Sequence, residues 1–200
     1  NIIYRLTITY YCETIRMSGI DTVTKIIAKV LEIVHWVASA LMGASAVCAF
    51  AAPHLLHYLV GFEPSGSTVV LETYGFEVIT PVLDGVPDMT VYGLFAAGST
   101  VILILMAMVF RNLSLILKKS AETTPFQKDN VRMLKEIGIF SIAVPVIGWI
   151  MGFVIQLAAG FDSVEISNSM SGFIMGILVL CLTQFFAHGM ELEDDVEGLL

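Results

Sequence analysis

Four stretches of this chain, each close to twenty residues long and almost free of charge, decide what it can fold into. They cover residues 33–52 (IVHWVASALMGASAVCAFAA), 91–110 (VYGLFAAGSTVILILMAMVF), 137–159 and 170–188. About 20 apolar residues in an α-helix cross some 30 Å of hydrocarbon. A backbone in lipid must satisfy its own hydrogen bonds, which leaves helices and closed barrels. None of the four stretches alternates polar and apolar residues as a barrel strand would. The expected fold is an all-α integral membrane protein, a bundle of four transmembrane helices. Composition agrees: 14% of the residues are charged, against about 25% in an average soluble domain, too few to solvate one.

The basic residues orient the bundle. All ten lie at Arg5, Arg16, Lys25, Lys29, Arg111, Lys118, Lys119, Lys128, Arg132 and Lys135, with none between 30 and 110 and none after 135. Basic loops stay in the cytoplasm, so the connection between spans two and three is expected inside, together with both termini. The bundle is thus expected to be a multi-pass membrane protein with its basic side in the cytoplasm. The segment around 60–90 and the connection 162–168 then face outward, carrying Glu63, Glu72, Glu77, Asp84, Asp88, Asp162 and Glu165 but no Lys or Arg.

The outer segment STVVLETYGFEVITPVL is rich in β-branched and aromatic residues, broken by Gly75 and Pro81, which is a strand-and-turn pattern. It is expected to form a small β-like extracytoplasmic element, a hairpin cap or a re-entrant lid; the alternative is an irregular acidic loop. Residues 1–16 mix β-formers with charges and read as an upstream extension, or else as an interfacial segment. Residues 17–200 read as one membrane domain. Cys12, Cys48 and Cys181 show neither disulfide nor zinc spacing.

Without a hydrophobic force between helices in lipid, close packing relies on small residues. Gly148 and Gly152 in span three, Gly172 and Gly176 in span four, Ser39 and Gly43 in span one, and Gly93 and Ala97 in span two each share a helical face. They are expected to hold the spans in a compact bundle, and homo-oligomers remain possible. Pro145 removes a helical donor and is expected to bend span three.

Ionisable groups inside spans are candidates for function. Glu32 and His35 share a face at the inner end of span one and His188 lies at the inner end of span four, a set able to bind a transition metal or relay protons if the three converge. The plainer reading places their polar tips in water at the interface. His54 and His57 form H-x-x-H at the outer end of span one, two ligands where a structural zinc takes four. Gln156 and Gln184 are placed to bond between helices or to line a pathway. No nucleophile elbow, zinc-protease motif or P-loop occurs, so no catalytic residue and no cofactor is expected.

Between spans two and three, TTPFQKDNVRMLKEIG reads as a helix start: Thr124 caps, Pro125 takes the first helical position and Gln127 completes a capping box. Lys128, Arg132 and Lys135 form a basic stripe suited to anionic lipid headgroups, about 1 kcal/mol per residue, rather than to nucleic acid. The tail acids Glu191, Glu193, Asp194, Asp195 and Glu197 emerge on the same side and can pair with that stripe or compete for a cytoplasmic partner.

PFQKDNVRMLKEIG resembles the P-F-x(3)-N-x(3)-L-x-x-I-G signature of the DUF2975 family of bacterial four-span membrane proteins, at Pro125, Phe126, Asn130, Leu134, Ile137 and Gly138. The end, FFAHGMELEDDVEGLL, is similar to that family's closing pattern at Phe186, Gly189, Leu192, Glu193 and Asp194, although here the acids follow Leu192 directly. The resemblance extends in layout over 17–200. It implies a bacterial cytoplasmic (inner) membrane and no catalytic residues, and its members' frequent pairing with small helix-turn-helix regulators implies a sensing or regulatory role. The sequence thus points to a non-enzymatic membrane sensor or regulatory partner, with a cytoplasmic regulatory protein as its possible partner. A small transporter or accessory subunit using Gln156 and Gln184 is the alternative, and a metal-dependent membrane enzyme on Glu32, His35 and His188 a further one.

Overall fold

The computed structural model describes the backbone of residues 2–60, 67–83, 86–120 and 127–197, and side chains within 22–56, 67–82, 86–120 and 127–191. The chain is mostly helical: α1 (Ile2–Ala51), α2 (Pro53–Val60), α3 (Met89–Lys119), α4 (Lys128–Ala159) and α5 (Ser171–Glu197), with strands β1 (Thr68–Thr73), β2 (Phe76–Leu83), β3 (Val86–Pro87) and β4 (Glu165–Asn168). Four helical segments, Thr22–Ala51, Met89–Lys119, Lys128–Ala159 and Ser171–Glu191, are long and apolar enough to cross a membrane. Helix α1 runs without a break from Ile2 through the first of these segments.

The helices pack in chain order: α1 on α3, α3 on α4, α4 on α5, while α1 and α5 make no comparable interface. Along α1 the buried residues are Ala28, Glu32, His35, Ser39, Ala46 and Ala49, spaced by threes, fours and a seven as in a coiled-coil seam. Gly93 brings α3 so close that a Cβ there would lie 2.7 Å from Phe50, and one at Gly43 would touch Thr100 at 3.5 Å. The other faces of α1 carry Val23, Ile26, Val30, Ile33, Val37, Leu41 and Val47, all exposed, as a lipid-facing helix requires.

Gly172 and Gly176 set the crossing of α5 on α4. A Cβ at Gly176 would lie 2.5 Å from Ile142 Cγ1 and 2.8 Å from the Gly138 carbonyl oxygen; one at Gly172 would lie 3.1 Å from the Ser141 carbonyl oxygen and 3.2 Å from Pro145 Cδ. Pro145 deprives that Ser141 carbonyl of its helical donor, and α5 approaches it through a residue with no side chain. Helix α5 therefore begins level with the middle of α4. Gly148 and Gly152 do something the helix-packing reading did not include. A Cβ at Gly148 would strike Asn168 Oδ1 at 2.5 Å, and one at Gly152 would strike Ile166 at 2.9 Å. Their groove receives strand β4, not a helix.

The sheet is antiparallel, with β2 at its centre: β1 pairs with β2 from Thr73↔Phe76 to Thr68↔Pro81, and β4 and β3 pair with the other edge of β2. Pro81 is tolerated inside β2 for a geometric reason. The next amide, Val82 N–H, donates to Ser67 on the β1 side (2.9 Å), so the missing donor of Pro81 faces the opposite edge. There it falls between the partners of β4 (up to Ile79) and of β3 (from Val82), where no ladder bond is lost.

Of the two arrangements expected for this segment, the packing agrees with the re-entrant one, since the sheet shares its core with the helices. Phe76, Val78, Val91, Phe95, Ile102, Val144, Ile155 and Val164 form one core cluster, mixing strand and helix residues, and the rings of Phe76 and Phe95 stack at 5.3 Å. Thr80 is fully buried on the same face, and among the described residues its hydroxyl has no partner. An unpaired buried hydroxyl costs about 1–3 kcal/mol, so Thr80→Val is expected to leave the protein equally stable or to stabilise it by about 1 kcal/mol, read by thermal unfolding in detergent; a loss of stability would show that Thr80 has a partner in solution.

Candidate functional site

The site builds up from the tip of the β1–β2 hairpin. Its two turn residues, Tyr74 (φ 51°) and Gly75 (φ 79°), are both left-handed, as a two-residue type I′ turn demands. Such turns favour Asn-Gly because a bulky residue at positive φ is strained. Here the strained position holds a tyrosine, and its side chain has a use. The tip is gripped from three directions. From α3, the Ser99 hydroxyl donates to Thr73 Oγ1 (3.1 Å), and Thr73 donates onward to the Glu72 carbonyl (2.9 Å). From the β4–α5 junction, Ser169 N–H donates to the Gly75 carbonyl (2.8 Å); a Cβ on Gly75 would lie 2.4 Å from Ser169 Cβ, which with its positive φ reserves the position for glycine.

The third contact reaches α1. The Tyr74 hydroxyl bonds His35 Nε2, while His35 Nδ1 lies 2.7 Å from the Leu31 carbonyl oxygen. A carbonyl only accepts, so Nδ1 carries the proton, Nε2 is left as acceptor, and the tyrosine O–H donates to it. Tyr74 stands in the turn, outside the four helices, and burial pushes its hydroxyl above the ordinary phenol range, which keeps it a donor. The Phe110 ring closes the other side of His35 at 4.9 Å. Ser99 lies ten residues beyond Met89, about 15 Å along α3 at the α-helical rise, and Phe110 roughly twice as far. The hairpin thus brings an extra-helical hydroxyl to the buried face of α1, while the tyrosine ring stays partly exposed. Beneath it is a cavity of about 310 Å³, lined by Tyr74, Met106, Ser141, Ser171, Met175 and Val179 among others.

Glu32 and His35 do share the buried stripe of α1 and are 8% and 7% exposed, so neither tip reaches out as an interfacial pair would. Glu32 is bonded by Lys29 (2.9 Å), and both His35 nitrogens are engaged as described. His188 is exposed on α5 and pairs with Glu191 at 3.1 Å; α5 is not the neighbour of α1, and the three do not meet. Among the described residues no three metal-ligating groups come together. His54 is exposed on α2, and the side chain of His57 lies outside the described residues. Gln156 sits in the last turn of α4 and Gln184 midway along α5, which runs beside the first half of α4; the two are at opposite levels and line no common path.

At the basic end, α4 starts at Lys128 with Gln127 in the N-cap position (φ −114°, ψ 146°), its side chain making no cap bond. That overturns the capping box, which needs Gln127 inside the helix; Thr124, Pro125 and Phe126 lie outside the described residues. Asp129 in the first turn, favoured by the helix dipole, is bonded by Lys119 at 2.5 Å. Lys128, Arg132 and Lys135 are exposed as a stripe, and Arg132 lies 3.7 Å from Glu136. Behind the stripe, Asn130, Ile137 and Gly138 are buried, Leu134 and Gly189 half-buried. The side chains of Leu192, Glu193, Asp194, Asp195 and Glu197 lie outside the described residues. A contact the sequence reading missed is Asn112, buried on α3, which donates to Glu136 Oε2 at 2.9 Å; an Asn beside Arg111, just past the apolar stretch, was its only signal. No family model, no curated protein and no solved structure matches the chain.

Proposed function

We propose that the protein is a non-enzymatic sensor or regulatory subunit of a bacterial inner membrane, with its basic end and both termini in the cytoplasm and its hairpin entering from outside. The observation that carries this reading is the Tyr74–His35 hydrogen bond. Through it, an extra-helical segment touches the buried face of α1 one turn from Glu32, and α1 continues as a helix back to Ile2. Any change outside that lifts or tilts the hairpin breaks this bond and changes the packing of α1 at the cytoplasmic surface. A strained tyrosine at the tip fits a contact with two states better than a static turn, for which Asn would serve. The resemblance to the DUF2975 family points the same way, and the exposed stripe of Lys128, Arg132 and Lys135 with the tail acids supplies the surface for a cytoplasmic regulatory protein or for lipid headgroups.

The test uses full-length protein extracted in mild detergent with its associated proteins. A soluble partner is expected to co-purify, and Glu193→Gln, Asp194→Asn and Asp195→Asn together are expected to lower its recovery at least about tenfold. Tyr74→Phe, far from that surface, is expected to change the recovery as well. A partner retained in full by both variants would sink the reading.

A further inference from the structure

The cavity beneath the hairpin tip is specific in its walls, its size and its polar groups. Helices α3 and α5 both lie on α4, yet they make no comparable interface with each other. The space between them has α4 as its floor at Ile137, with Met106 and Val109 of α3 on one side and Met175 and Val179 of α5 on the other. Tyr74 of the hairpin tip lines it as well. Val109 and Ile137 stand ten or more residues along their helices from Ser120 and Gln127, where the described stretch breaks.

The volume of about 310 Å³ has room for about ten non-hydrogen atoms, at the roughly 30 Å³ that a water molecule takes in the liquid. Ser171 and Val179 stand about 12 Å apart along α5 at the helical rise. Spread over that length the cavity is about 5 Å wide, and nonbonded carbons approach to about 4 Å, so one hydrocarbon chain fits and two abreast do not. Met106 and Met175, unbranched and adaptable, suit such a chain.

Among the described residues no charged side chain lines the cavity. An ion buried without a partner is strongly disfavoured, so the occupant is neutral. Two serines define its polar end. Ser141 Oγ donates to the Ile137 carbonyl at 2.8 Å, which leaves its lone pairs to accept. Ser171 works the other way. Its N–H donates to Ser169 Oγ (3.3 Å) and the Ser169 hydroxyl donates to Ser171 Oγ (2.9 Å), which leaves the Ser171 hydroxyl proton to donate. The two are neighbours, because Gly172 packs on the Ser141 carbonyl. One acceptor beside one donor matches a hydroxyl group, which both gives and takes a hydrogen bond; an ester can use only the donor, and an alkane uses neither.

We propose that the cavity binds a neutral, unbranched aliphatic alcohol of about ten non-hydrogen atoms, its hydroxyl between Ser141 and Ser171 and its chain running toward Val179. The chain then lies against Tyr74, the residue that bonds His35. Binding stands by itself; that the alcohol is the signal rests on the sensor reading.

Full-length protein in phosphatidylcholine vesicles is irradiated with decanol carrying a diazirine near its chain end, and labelled residues are identified by peptide mass spectrometry. Label is expected on Met106, Val109 and Val179. Unlabelled nonanol is expected to compete at least about tenfold better than nonane or hexadecanol at equal mole fraction in the membrane. Ser141→Ala with Ser171→Ala is expected to abolish the preference for nonanol over nonane. Val179→Phe fills the chain end and is expected to cut labelling at least about tenfold, with unfolding in detergent confirming that the fold is kept. Ser171→Ala alone, at an exposed position, is expected to weaken the preference and keeps the test decisive if the phenylalanine disturbs α5. Label spread evenly over the exposed Ile174, Ile177 and Leu182, equal competition by nonanol and nonane, or full labelling of folded Val179→Phe overturns the site. The signalling role fails separately. Saturating nonanol is expected to change recovery of the co-purifying cytoplasmic partner at least about twofold; unchanged recovery with labelling intact removes that role and leaves the site standing, and absence of any partner counts against the sensor reading alone.

Discussion

Gly176→Ala is expected to destabilise the protein by about 3 kcal/mol, at the upper end of the range for overpacking a close-packed interior. The added methyl would meet Ile142 Cγ1 at 2.5 Å, the Gly138 carbonyl oxygen at 2.8 Å and the Ile142 amide nitrogen at 3.0 Å. Two of these three are backbone atoms, so no rotamer change relieves the clash, and α5 must move off α4. That movement also shifts Ser171, whose neighbours hold Gly75, so the hairpin tip loosens with it. The measurement is unfolding in mixed micelles titrated with a denaturing detergent. Leu178→Ala, at an exposed position of the same helix, is the control and is expected to change stability by less than about 0.5 kcal/mol. Equal effects of the two would show that the α4–α5 crossing is looser than its glycines indicate.

Tyr74→Phe is expected to cost about 2 kcal/mol although it removes a single oxygen, because it leaves His35 Nε2 buried without its donor. Among the described residues the hydroxyl bonds His35 alone, so the loss should vanish in a protein that already lacks the imidazole. In a double-mutant cycle with His35→Ala, the coupling energy is expected to be at least about 1 kcal/mol. Additive effects would separate the two side chains and remove the physical link between the hairpin and α1 on which the sensor reading depends.

How much of this was readable in advance differs from one element to the next. The four spanning helices were, because twenty uncharged residues leave the backbone no other solution in lipid; only their ends moved, since Met89–Lys119 and Ser171–Glu191 extend beyond the apolar cores that flagged them. The hairpin was readable as a hairpin from STVVLETYGFEVITPVL, while its position stayed open between a cap and a re-entrant lid. Strand β4 was not readable at all: EISN is a four-residue run in what looked like a short connection, and it becomes a strand only because β2 offers it an edge and Gly148 and Gly152 offer it a groove. The same two glycines illustrate the limit of motif reading, since small residues four apart mark a close approach without saying whether a helix or a strand makes it. His35 was singled out for its cost in a span, and Tyr74 was not, because nothing local distinguishes a turn tyrosine whose partner is 39 residues away.

By itself, then, the sequence determined the solvent, the number of spans and the side on which the basic residues gather, all of which follow from transfer free energies summed along short windows of chain. Tertiary structure alone decided that the acidic hairpin packs among the helices, that α5 starts level with the middle of α4 and leaves the groove of Gly148 and Gly152 to β4, and that Tyr74 meets His35. Those outcomes depend on contacts between segments far apart in sequence, and on which surfaces, once packed, still have polar groups left to satisfy.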